Sequence, residues 1–256
     1  MIGTMARDAA LEKLAGLLRE RGPVVAFTGA GISAASGLST FRAEDGIWAR
    51  FPIEEYGTAD AFRQHPERAW ELFGAIEAEL ARARPNPAHE ALASLEEMGI
   101  VEAVVTQNID GLHRRAGSRN VIEYHGTAAT GHCPACGRRF RREALPPYPP
   151  APRCPECAAV VRPDVVLFGD PIPADAAAAA ERALATAETV LVVGSTLEVM
   201  PASWLVLSAS RRGARVAVVD PKPSASARRI ADLVVATPAE RALPELVRRL
   251  RDAGVS

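Results

Sequence analysis

Residues 24–48 read VVAFTGAGISAASGLSTFRAEDGIW. The apolar run Val24-Val25-Ala26-Phe27 has the length and β-branched content of a buried strand, and it runs directly into Gly29-Ala30-Gly31. A strand ending in glycines, followed by small residues that can open a helix, lets backbone N–H groups approach a pyrophosphate closely. Gly29, Gly31 and Ala34 fill a GxGxxA pattern, the accepted variant of the dinucleotide fingerprint. A tight strand-to-helix turn in an α/β protein that binds no nucleotide can have the same spacing. The acidic residue that usually holds a ribose, at the end of a second strand about 20 residues on, has no evident counterpart. Asp45 is near that spacing but lies in the loop-like AEDGIW. The stretch therefore predicts a nucleotide site unlike that of an ordinary hydride-transferring dehydrogenase.

Outward from this turn, valine-rich runs recur at 23–28, 101–106, 164–168, 189–194, 214–219 and 232–235. Alanine-rich amphipathic segments lie between several of them, at 7–21, 87–98, 174–187 and 201–212. Near-continuous apolar strands alternating with helices indicate a parallel sheet covered on both faces. Two regions interrupt the alternation. Residues 35–81 hold loops and an aromatic helix around Trp70-Glu-Leu-Phe73, and residues 128–160 hold all four cysteines, many arginines and the run PPYPP at 146–150. The predicted class is α/β: a Rossmann-like, doubly wound parallel sheet from 1–34, 82–127 and 161–256, with a small domain from 35–81 and 128–160.

The cysteines fall as Cys133-x-x-Cys136 and Cys154-x-x-Cys157, with 17 residues between the pairs. Two CxxC knuckles offer four thiolates to one tetrahedral zinc. The alternative is two disulfides or four unlinked thiols. The N-terminal stretch has helical periodicity and both charge signs, so a signal or transit peptide is not expected, and zinc is the better reading. His132 is a competing ligand, but four thiolates close a site with no open position, so the ion holds a fold and does no chemistry. Too few apolar residues remain in this region for a core of its own.

With 256 residues, 48% of them hydrophobic, the chain can bury one large core plus an appendage. The net charge is −1 and no long Lys/Arg block occurs, which argues against nucleic acid as the main partner. The apolar runs are too short to span a bilayer. A cytoplasmic protein with no membrane partner is the expectation.

Five stretches carry candidate chemistry. Thr106-Gln107-Asn108-Ile109-Asp110 follows a strand directly, at the carboxyl edge where open α/β sheets bind ligands, although such a run also serves as a polar turn with an Asx cap. His125, in Glu-Tyr-His-Gly, is a candidate proton acceptor near neutral pH, with His113 its rival. Val165-Val166-Leu167-Phe168-Gly169-Asp170 closes a strand with an aromatic and a glycine, where exposed backbone could pair with an extended peptide. Val193-Gly194-Ser195-Thr196 is a second strand-to-small-residue turn, and Asp220 ends another strand as either a ribose acceptor or a turn cap.

Taken in order, these pieces resemble the sirtuins of bacterial and archaeal type, which are NAD-dependent protein-lysine deacylases. The resemblance rests on GAGISAASGLSTFR (29–42), DGIW (45–48), PNPAH (85–89), TQNIDGLHRRAG (106–117), the His125 motif, both CxxC pairs, VRPDVVLFGD (161–170), VVGSTLEVMPA (192–202) and LPELV (243–247). Departures are Ala35 for the usual glutamate, Ser195-Thr196 for Thr-Ser and Asp220 for asparagine. None removes a group the reaction needs. The resemblance implies a cleft between the large domain and a zinc-ribbon-plus-helical insertion. It implies an NAD site built from Gly29, Ala30, Gly31, Ser33, Phe41, Arg42, Trp48, Gln107, Asn108, Ile109, Asp110, His125, Gly194, Ser195, Thr196, Asp220, Pro221, Lys222 and Ala239. His125 is implied as general base and Asn108 as its catalytic companion, with Phe41 covering the reactive ribose face. Acetyl-lysine protein or peptide is the implied partner, laid as a strand between Val165, Val166, Phe168, Gly169 and Glu198, Val199. Sirtuins that prefer succinyl- or malonyl-lysine carry Tyr-x-x-Arg where Phe73 and Ile76 stand here, so a deacetylase with poor desuccinylase activity is implied. Mono-ADP-ribosyl transfer and a non-enzymatic NAD-sensing module are the alternatives.

Overall fold

The structure, a computed structural model, describes residues 2–20, 22–39 and 46–255, leaving aside the side chains of residues 2–4, 6 and 20. The chain runs α1 (Ile2–Glu20), β1 (Val24–Thr28), a 3₁₀ segment (Ala30–Ser36), α2 (Ile47–Arg50), α3 (Ala59–Gln64), α4 (Pro66–Arg82), α5 (Pro87–Glu97) and β2 (Val101–Thr106). It continues through α6 (Leu112–Arg115), β3 (Val121–Glu123), β4 (Gly126–His132), β5 (Arg139–Arg141), β6 (Arg162–Val165), α7 (Ala174–Thr186) and β7 (Thr189–Val193). It ends with α8 (Ala202–Arg211), β8 (Arg215–Val219), α9 (Ala225–Ile230), β9 (Leu233–Val235) and α10 (Ala239–Asp252).

Six parallel strands form one sheet in the order β3-β2-β1-β7-β8-β9. Both faces are apolar, as the near-continuous valines require. Val24, Ala26, Val104, Leu191 and Val219 point into a core closed by α1, α5 and α10. Val25, Phe27, Val105, Val190 and Val218 alternate with them and meet α7, α8 and α9 on the other face. The chain leaves β1 toward β2 on one side and reaches β7 on the other, so strand order reverses between β1 and β7. Ligands of open α/β sheets bind at the carboxyl ends beside such a reversal.

The valines at 164–168 do not join this sheet. The strand there is β6, and it pairs antiparallel with β4 in a three-stranded sheet ordered β5-β4-β6. Its apolar residues look like a buried parallel strand because Val165 and Leu167 fill a separate core with Phe62, Trp70 and Phe73 of α3 and α4. β3 was not anticipated, since three residues are too few to show a period.

The three-stranded sheet carries two matching knuckles. The Cys133 amide donates to Arg138 O and the Cys154 amide to Ala159 O, each at 2.8 Å. Gly137 and Ala158 occupy the same place in each turn, with φ of 77° and 60°. No helix among the described residues is long and apolar enough to cross a membrane.

Candidate active site

The two glycine turns meet at the strand-order reversal. The Gly29 amide donates to Val193 O at 3.2 Å and the Gly31 amide to Gly194 O at 2.9 Å. A Cβ on Gly31 would lie 2.7 Å from Gly194 Cα, and one on Gly194 would lie 2.3 Å from Ile32 N. Only glycine fits this contact. Both amides are therefore committed to the turn, and the close approach of the β1 and β7 ends is what the glycines supply. Gln107 Nε2 spans the same gap, donating to Ser195 Oγ at 2.8 Å.

Behind β1 and β2 lies a chain of hydrogen bonds. Asn86 caps α5 and donates through Nδ2 to Ile32 O at 2.7 Å and Ser36 Oγ at 2.9 Å. Its amide donates to His89 Nδ1 at 3.3 Å, which fixes the neutral tautomer with the proton on Nε2. His89 Nε2 donates to Ser33 Oγ at 3.3 Å, and Ser33 donates to Asp110 Oδ2 at 2.7 Å. Asn108 Nδ2 donates to Ser33 Oγ at 3.1 Å and Gly29 O at 3.2 Å. The other face of that amide is open: Asn108 Oδ1 is buried and has no partner among the described residues. A buried orphan acceptor is costly unless something else satisfies it.

Ala30, Ser33, Asn108 and Asp110 line one cavity, whose opposite wall is Leu38, Ile47, Ile76 and Leu80. Glu79 borders it and accepts from the Ser39 amide and hydroxyl, both at 3.0 Å.

The two rival histidines are placed very differently. His113 is 2% exposed; its Nε2 meets Thr28 Oγ1 at 2.9 Å, and burial holds its pKa down to about 3. His125 is only partly buried, at the end of β3, with Nδ1 3.1 Å from the Gln107 carbonyl. Burial lowers its pKa, and that backbone bond partly offsets the effect.

The remaining residues scatter. Trp48 stands on Gly57 and edge-on to Phe168, with ring centroids 6.0 Å apart. Thr196 lends its carbonyl to Ser224 Oγ at 2.6 Å. Asp220 caps its own turn by accepting the Lys222 amide at 2.7 Å, and burial raises its pKa. Pro221 and Lys222 are exposed, and the Ile109 carbonyl accepts the Ala128 amide at 3.1 Å. Ala239 opens α10 at 5% exposure within the core. Phe41 and Arg42 lie outside the described residues. Beside β6, the amides of Val166, Leu167 and Phe168 are taken by His125 O, Asp170 Oδ2 and Gly57 O. The Val166 carbonyl and the Gly169 amide have no partner among the described residues. Glu198 and Val199 lie in the segment between β7 and α8, where Val199 O caps Ser203 N at 2.9 Å. Phe73 is buried and Ile76 partly buried on α4.

Sequence reasoning assigned nothing to Asn86 and His89. Their signal was present in PNPAH, an N-cap asparagine before proline with a side chain able to close a capping box three residues on.

The four Sγ atoms of Cys133, Cys136, Cys154 and Cys157 lie within 4.8 Å of one another. Two of the spacings are 3.4 Å and 3.6 Å, near the roughly 3.8 Å edge that a tetrahedron of Zn–S bonds requires. The donor set and its geometry fit one structural zinc.

The model of the Sir2 family matches residues 29–201. The chain belongs to the Sir2 family. This sirtuin is 41% identical over 240 residues to an NAD-dependent protein deacylase of Thermococcus kodakarensis, covering 89% of this chain and 91% of the relative. An NAD-dependent protein deacetylase of Pyrobaculum aerophilum is 40% identical over 249 residues, covering 94% and 95%. Among solved structures, a Sir2 homolog–NAD complex superposes on the sirtuin with a TM-score of 0.88 at 39% identity, covering 94% of each chain.

Proposed function

We propose that this sirtuin is an NAD-dependent protein-lysine deacetylase that releases nicotinamide, O-acetyl-ADP-ribose and free lysine. The observation that carries this reading is His125: its Nδ1 faces the Gln107 carbonyl, which can only accept. Nδ1 therefore bears the proton, and Nε2 of the neutral ring is left with a lone pair for general-base work. The lowered pKa keeps the ring neutral at physiological pH.

NAD fits the residues present. The glycine contact brings the ends of β1 and β7 together at the strand-order reversal, and the orphaned Asn108 Oδ1 needs a donor that an amide or hydroxyl can give. The Ala30 amide opens the 3₁₀ segment, where the first N–H groups lack internal partners. NAD supplies the electrophilic ribose carbon and the nicotinamide leaving group. Asn108, Asp110 and Ser33 orient the nicotinamide end, and Gln107 and Ser195 hold the ribose side. Asp220 with Lys222 would take the adenosine ribose. With NAD bound, His125 Nε2 would be the group that takes up the proton on the ribose side.

The substrate backbone is held by the Val166 carbonyl and the Gly169 amide on one side and residues 198–199 on the other. Solved Sir2 structures include one with a p53 peptide and NAD, at 33% identity and a TM-score of 0.82, covering 96% of this chain and 99% of that one. Phe73 and Ile76 provide no partner for a carboxylate, so acetyl is favoured over succinyl.

Mass spectrometry of an acetyl-lysine peptide incubated with the protein and NAD tests the reading. Loss of acetyl with appearance of O-acetyl-ADP-ribose supports it. Gain of ADP-ribose on the peptide would point to transferase activity, and no change to an NAD-sensing module.

A further inference from the structure

Helix α4 presents two neighbouring faces to two different structures. Trp70, Gly74 and Glu77 repeat at four and three residues and form one stripe. Ile76 and Leu80 form a second stripe about 100° around the helix, toward the cavity that Asn108 and Asp110 also line. The first stripe is gripped from the cysteine-bearing region. Tyr148 stacks on Trp70, with centroids 6.4 Å apart and ring planes 17° from parallel. Tyr148 also occupies the notch left by Gly74, where a Cβ would come within 2.2 Å of its Cδ1. Arg142, directly after β5, forms a two-pronged pair with Glu77, its Nη2 lying 2.8 Å from Oε2. The same guanidinium lies 5.3 Å from the Trp70 ring centroid, and its Nη1 holds the carbonyls of Leu145 and Pro146. Trp70 Nε1 returns a bond to Val161 O at 2.8 Å, next to β6.

We propose that Tyr148 and Arg142 are positioning residues through which the zinc-ribbon region sets the rotation of α4, and with it the acyl-facing wall of Phe73 and Ile76. Phe73 and Ile76 share one core with Tyr148, Ala151 and Val160 from that region, and with Val165 and Leu167 at the proposed substrate strand. A packed core of this kind does not deform smoothly. Loss of the Tyr148 ring lets α4 turn or settle, and the wall moves relative to the lysine channel. Tyr148 makes none of its ring or packing contacts with the proposed cofactor residues, which follow β1, β2, β7 and β8, so the larger effect is expected on the peptide. The proposal rests on the deacetylase reading and on Phe73 and Ile76 facing the acyl group.

The experiment uses the full zinc-loaded chain and compares wild type, Tyr148→Phe and Tyr148→Ala on one peptide carrying acetyl, butyryl or hexanoyl lysine. Tyr148→Ala is expected to raise peptide KM by about tenfold and flatten the preference among chain lengths, since small misplacements of a positioning wall are costly. Its NAD KM, kcat and zinc content stay close to wild type, and Tyr148→Phe, which keeps the stacked ring, restores the wild-type profile. If Tyr148→Ala is insoluble, Glu77→Gln takes its place with the same expected split. An unchanged peptide KM and chain-length profile would overturn the proposal, as would a parallel loss of kcat, both KM values and melting temperature. A wild-type protein that removes no acyl group would instead sink the functional reading on which the proposal stands.

Discussion

His125 Nδ1 lies 3.1 Å from the carbonyl oxygen of Gln107, the residue whose own side chain reaches Ser195 on the neighbouring strand. One peptide unit thus orients the proposed base with its oxygen while its side chain braces the cofactor turn. His125→Ala is expected to keep the fold and bind NAD and peptide, yet lose turnover by ~10²–10⁴. Because burial lowers the pKa below the ordinary histidine value of 6.5, the acidic limb of the kcat profile should fall below that value. Single-turnover rates with calorimetric binding of NAD would check both parts. A His125→Ala protein with wild-type turnover would transfer the role elsewhere.

Acid should also destabilise the fold through His89 and His113. Burial lowers their pKa values to about 4 and about 3, so the folded state binds fewer protons than the unfolded one between those values and 6.5. Stability therefore rises with pH in that window, and acidification costs up to about 1.4 kcal/mol per pH unit for each histidine. Urea unfolding at several pH values between 7 and 5 measures the slope. His113→Gln, which cannot take up the proton, is expected to reduce it.

The six-stranded sheet was legible because valine runs buried on both faces have few other uses, and five of the six runs join it. The run at 164–168 misled because an apolar stretch has the same composition whether it pairs in a sheet or fills a gap beneath α4. The thiolate quartet could be named from motif spacing, whereas His125 stood out from His113 only through the resemblance to the family. His89 could not be given a role, since its work depends on Ser33 and Asp110, 56 and 21 residues distant in sequence and joined only by folding. The commitment of the Gly29 and Gly31 amides to the 193–194 turn was likewise invisible, because the fingerprint fixes their spacing and not their partner.

The second knuckle carries an avoidable strain. Ala158 adopts φ of 60° where its counterpart in the first knuckle is Gly137. A left-handed non-glycine residue costs roughly 1–2 kcal/mol. Ala158→Gly is expected to raise the unfolding free energy by about 1 kcal/mol, after the entropy that glycine adds to the unfolded chain is subtracted. Chemical denaturation of the zinc-loaded protein reads this directly, and a destabilised variant would contradict it.

Removing a thiolate should be far more damaging. Cys133 and Cys154 are 0% and 2% exposed, and the small core around them contains only Leu145 and Val161 as further buried apolar side chains. So little buried surface cannot hold the region without the ion, whose binding free energy is then folding free energy. Cys133→Ser and Cys154→Ser are expected to be insoluble or unfolded, and elemental analysis of the wild type should give one zinc per chain. A soluble, fully active variant lacking all four cysteines would refute a structural metal.

The proposed acyl preference follows from the chemistry of α4. Phe73 is 4% exposed and packs against Phe62 and Trp70, at centroid distances of 6.4 Å and 5.6 Å. Ile76 lines a cavity whose charged members are Glu79 and Asp110, both acids. A succinyl carboxylate brought against this wall loses its water, gains no cationic partner and meets like charge. A penalty of about 3 kcal/mol corresponds to roughly a hundredfold in kcat/KM, so succinyl-lysine should be that much poorer than acetyl-lysine in the same peptide. Arg82 cannot compensate, lying six residues or about 1.7 turns beyond Ile76, nor can Arg84, which follows the end of α4. Phe73→Tyr/Ile76→Arg is expected to raise succinyl turnover while lowering acetyl turnover. The gain should be partial, because the introduced guanidinium lies three residues from Glu79 on the same helix and will pair with it. Adding Glu79→Gln removes that competitor, and the triple variant should exceed the double on succinyl substrate. Comparable kcat/KM on acetyl and succinyl versions of one peptide in the wild type would show this account of the wall to be wrong.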